Sequence, residues 1–64
     1  MINVSKTIYS VFVVNELAFV GYKEGNNDVF KRGNTKIVVK GNDVFVNDTL
    51  TSLEDTMALI KSMK

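Results

Sequence analysis

Four polar clusters interrupt this chain at short intervals: Asn15-Glu16, Glu24-Gly25-Asn26-Asn27, Gly33-Asn34 and Gly41-Asn42-Asp43. Between them lie runs of strand length, bounded by the residues that turns require. Ten valines, four isoleucines, five threonines and six aromatic residues favour extended over helical backbone through most of the sequence. Strands are expected at about residues 4–14, 17–23, 28–32, 35–40 and 44–47. Connections this short join antiparallel neighbours. Gly33-Asn34 suits a two-residue hairpin, because glycine accepts a positive φ at the first central position.

The period changes in the last fourteen residues, where a helix is expected over about 52–63. Thr51 with Glu54, and Ser52 with Asp55, offer overlapping N-terminal caps. Leu53, Met57 and Ile60 recur at helical spacing, with Met63 alongside. Glu54 and Asp55 sit at the positive end of the helix dipole, Lys61 and Lys64 at the negative end. The expected architecture is a β-rich α+β fold in one domain, residues 1–64. It is a small antiparallel five-stranded meander, a bent sheet or an SH3-like barrel, with one C-terminal helix packed on it.

A chain of 64 residues buries only about 60% of the surface its unfolded form exposes, so its core is thin. The sequence contains neither cysteine nor histidine. That removes disulfides, zinc sites of the Cys/His kind, Ser-His-Asp triads and a histidine pH switch. Gly21, Gly25, Gly33 and Gly41 match no phosphate-binding glycine pattern, and Asp43 and Asp48 lack calcium-loop spacing. No enzyme activity, cofactor, metal or small-molecule substrate is expected. The first residues have no basic start followed by a continuous apolar stretch. No run approaches the roughly 18 apolar residues of a membrane span. A cytoplasmic protein without a membrane partner is expected.

A turn at Asn15-Glu16 would pair residues 4–14 with 17–23 and make both faces of that hairpin apolar. One face would carry Val14, Leu17, Phe12 and Phe19. The other would carry Tyr9, Val11, Val13, Val20 and Tyr22. Half-solvated sheets normally alternate apolar and polar residues, and one helix covers only one face. The second face must curl into a barrel core, form a homodimer or receive a foreign protein. Tyr9, Val11, Val13, Val20 and Tyr22 are therefore the candidate protein interface, the paired tyrosines suiting a surface that is part wet.

Charge is unevenly spread although the total is only +1. Residues 23–40 carry a net +3 and residues 41–55 a net −4. A Gly33-Asn34 turn would set Lys31 directly across from Lys36, a repulsive pair that an anion would relieve. Lys31, Arg32, Lys36 and Lys40 are the candidate anion or nucleic-acid contacts.

Residues with AT-rich codons (Asn, Lys, Ile, Phe, Tyr, Met) number 27, against seven Gly, Ala, Arg and Pro. Together with small size, this suits a phage or mobile element. The expected function is a non-catalytic binding protein that inhibits or redirects a host protein by surface contact. Its partner is a second copy of the chain or a host protein. The alternatives are a nucleic-acid-binding module using the basic hairpin, and a structural subunit of a larger assembly.

Overall fold

The computed structural model describes residues 3–63 of the chain. The element order is α1 (Val4–Val14), β1 (Val20–Glu24), β2 (Asn27–Arg32), β3 (Thr35–Lys40), β4 (Asp43–Val46), β5 (Thr49–Thr51) and α2 (Leu53–Ser62). Five antiparallel strands form one sheet in sequence order. The sheet is open, with β1 and β5 as its edges, so the barrel alternative is corrected.

The expected strand over 4–14 is a helix, and the fold therefore has two helices rather than one. Asn3 caps α1, its side chain accepting from the Lys6 backbone N–H at 3.0 Å. Val4, Ile8 and Phe12 then recur every four residues and are buried together, with Val11 packed beside them. An apolar sector this wide places apolar residues at odd and even positions alike, which strand spacing reads as two apolar faces. The β-branched residues here are weak helix formers, but burial of one stripe against the sheet outweighs propensity.

Asn15-Glu16 ends that helix instead of turning a hairpin. Glu16 takes a left-handed backbone (φ 57°). Its N–H donates to the Val13 carbonyl and the Leu17 N–H to the Phe12 carbonyl, both at 3.0 Å. This is the paired pattern of a Schellman cap, completed by burial of Leu17 in the same cluster as Phe12.

Four two-residue loops build the sheet. Three are Gly-Asn, at 25–26, 33–34 and 41–42, each glycine at positive φ. The fourth, Asn47-Asp48, has both residues at positive φ and turns the chain into β5. Asn47 also extends the ladder beside β3. Its side chain accepts from the Lys36 N–H at 2.9 Å, and its own N–H donates to the Lys36 carbonyl at 2.8 Å. The fifth strand thus comes from residues 49–51, beyond the acidic turn, and not from the N-terminal segment.

Register separates the two faces. Phe30, Ile37, Val39 and Val44 point to the helices and meet Val4, Ile8, Phe12 and Ile60 in the core. On the other face Tyr22, Val29, Val38, Phe45 and Leu50 lie side by side in one row across all five strands. In α2, Ser52 is the cap, accepting from the Asp55 N–H, while Thr51 belongs to β5. Thr56 shares the buried stripe with Ile60, its hydroxyl donating to the Ser52 carbonyl at 2.8 Å.

Candidate functional site

The residues expected to form one sheet face do not share a sheet. Tyr9, Val11 and Val13 are on α1, while Val20 and Tyr22 are on β1. Val20 pairs with Lys31 and Tyr22 with Val29, not with Val11 and Tyr9. Val11 is packed against the core and leaves the candidate interface. The other four are large apolar or aromatic side chains held in solvent: Tyr9 53% exposed, Val13 51%, Val20 63% and Tyr22 42%.

Tyr9 and Tyr22 both border a groove between α1 and the edge strand β1, although the Tyr22 side chain belongs to the open face. The groove has a volume of about 570 Å³. Tyr9 and Phe19 form one wall, ring edge against ring face with centroids 5.5 Å apart. Phe19 stacks in turn on Phe12 at 4.7 Å and lies 5.9 Å from Phe30, so the wall is anchored to the core. The space exists because Gly21 offers no side chain on the helix-facing side. A Cβ there would meet Phe19 at 3.5 Å and Phe30 at 4.0 Å, ordinary contact distances. A glycine inside a strand marks a missing side chain or a close approach, and that signal in Phe19-Val20-Gly21-Tyr22 could have located the groove from sequence.

Charge collects at one end of the groove. Lys6 of α1, Lys23 of β1 and Asp28 of β2 all line it. Asp28 accepts the Ser5 hydroxyl and lies 3.9 Å from the Lys23 ammonium, its cross-strand neighbour. The Ser5–Asp28 bond ties the first turn of α1 to the sheet. Two ammonium groups against one carboxylate leave this end net positive. Every residue of β1 is exposed, and among the described residues no strand lies beside its outer edge.

The four basic residues expected to act together are divided. Lys31 and Lys36 do face each other across β2 and β3. Lys40, on the same open face, has its ammonium 5.3 Å from the centre of the Phe45 ring. Arg32 is on the helix side, where its guanidinium donates to the Ala18 carbonyl at 2.7 Å. Glu24 and Asp43 share the open face with the lysines.

Among the described residues, no group of three His, Cys, Asp or Glu side chains is placed to hold a metal ion. No helix among them is long and apolar enough to cross a membrane. No family model matches the chain, and neither the curated proteins nor the solved structures contain a significant match.

Proposed function

We propose that this chain is a non-catalytic binding protein that acts by protein–protein contact, taking an extended segment of a partner chain along β1. The observation that carries this reading is an unpaired edge strand running beside an apolar groove. Edge strands offer a row of free N–H and C=O groups, and natural sheets usually blunt them with proline, bulges or charges. Val20-Gly21-Tyr22 carries neither proline nor charge, and the charged residues of the strand, Lys23 and Glu24, are confined to its end. Strand addition draws affinity from main-chain hydrogen bonds and specificity from pockets that receive alternate side chains. An open edge beside a groove provides both.

Size and AT-rich coding composition support a wider form of the proposal: a cytoplasmic accessory protein of a phage or mobile element that inhibits or redirects a host protein. The nucleic-acid alternative draws less support, since Arg32 is tied to Ala18 on the far side of the sheet and carboxylates intersperse the lysines.

The experiment is selection from a library of displayed random peptides, repeated on Gly21→Leu. Binders of the native chain that lose affinity for Gly21→Leu are the expected result. Binders indifferent to Gly21→Leu, and to Tyr9→Ala as a second groove variant, would overturn the reading.

A further inference from the structure

The groove and the lysines beside it define what kind of segment fits, provided the strand-addition reading holds. Gly21 and Lys23 both present their side-chain positions to the helix side, two residues apart and so about 7 Å along the strand. A residue paired opposite Gly21 directs its side chain into the groove lined by Phe19, Tyr9 and Phe30. The residue two positions away lies opposite Lys23, at the end where Lys6 and Lys23 outnumber Asp28. The residue between them points to the open face beside Tyr22, which is itself part exposed.

We infer that the partner is an extended segment of a foreign protein carrying a bulky apolar residue and a carboxylate two positions apart, the apolar side chain in the groove and the carboxylate on Lys23. A two-fold dimer does not meet this requirement, and Asp48-Thr49-Leu50 at the other sheet edge meets it only if copies join head to tail. A two-fold dimer pairs β1 with β1 antiparallel, so the carboxylate would have to precede the apolar residue by two. The one acidic residue of β1, Glu24, is followed two positions later by Asn26. Antiparallel pairing of β1 with β1 therefore never sets an apolar residue over the groove and a second carboxylate beside Lys23 at once.

The same displayed library, selected in parallel on the native chain, Lys23→Glu and Gly21→Leu, tests this. Native selection enriches an apolar and an acidic residue two apart. On Lys23→Glu the acidic residue gives way to lysine or arginine while the apolar residue stays. Lys23→Ala lowers the affinity of a selected acidic peptide about two- to fivefold, the range for an exposed ion pair. Groove-dependent binders with no acidic preference, or one that Lys23→Glu leaves unchanged, would overturn this inference while leaving the strand-addition reading standing. Binders that tolerate both Gly21→Leu and Tyr9→Ala would overturn both. Concentration-dependent dimerisation of the native chain in sedimentation, abolished by Gly21→Leu, would overturn it in favour of a second copy.

Discussion

Replacing Gly21 with leucine should make the protein more stable and stop it binding. Gly21 is extended, not left-handed, so a side chain meets no backbone strain there. Glycine inside a strand costs about 0.5–1 kcal/mol relative to alanine, through the greater freedom of the unfolded chain. Burying a leucine side chain fully contributes about 1.5–3 kcal/mol. The groove is open on one side, so roughly half of that is available, from contact with Phe19 and Phe30. The two effects together give about 1.3–2.5 kcal/mol. For a domain of this size that corresponds to a rise in Tm of about 10–20 °C. Thermal and urea unfolding followed by far-UV circular dichroism would measure it. A loss of stability would refute the reasoning, because it would mean that the space over Gly21 is already filled.

Glu16→Gly should add about 0.5–1 kcal/mol, since Glu16 holds a left-handed φ of 57° at the helix end. A lower urea midpoint than the native chain's would contradict the cap. Asn3→Ala should cost about 1 kcal/mol through loss of the bond to the Lys6 N–H, read from the same urea curves. Val11→Asp should destabilise strongly and Val13→Asp by no more than about 0.5 kcal/mol, because Val11 packs on the core and Val13 is in solvent. Equal effects would favour a strand over residues 4–14. Ile8→Ala should cost about 2–5 kcal/mol, enough to unfold much of a small domain, since Ile8 is fully buried.

The sheet was largely legible because its turns are written in residues that few other conformations want. Three Gly-Asn pairs fall at the three loops with positive glycine φ. The Gly33-Asn34 turn places Lys31 opposite Lys36, as its spacing implies. The fourth loop was hidden because Asn47-Asp48 contains no glycine and reads as part of an acidic run. The helix over Val4–Val14 was hidden for a different reason. Its valines, isoleucine and tyrosine carry strand propensity, and the signals that oppose them are an Asn3 cap and a left-handed Glu16. Neither outweighs composition until the sheet supplies a surface for Val4, Ile8 and Phe12.

The candidate site was half legible. Tyr9, Val13, Val20 and Tyr22 are exposed, as an interface requires, but helix placement rather than cross-strand pairing brings Tyr9 near Tyr22. Val11 was lost to the core when its segment became helical. Phe19, Gly21, Lys6 and Lys23 acquire meaning only once α1 is known to lie beside β1.

Strand addition is tested most directly by amide hydrogen exchange, residue by residue, with and without a selected peptide. Protection should rise at those N–H groups of Val20–Glu24 that point away from β2, while Lys31, Lys36 and Phe45 remain as in the free protein. Protection confined to the open sheet face, with the β1 edge exchanging as before, would contradict the account.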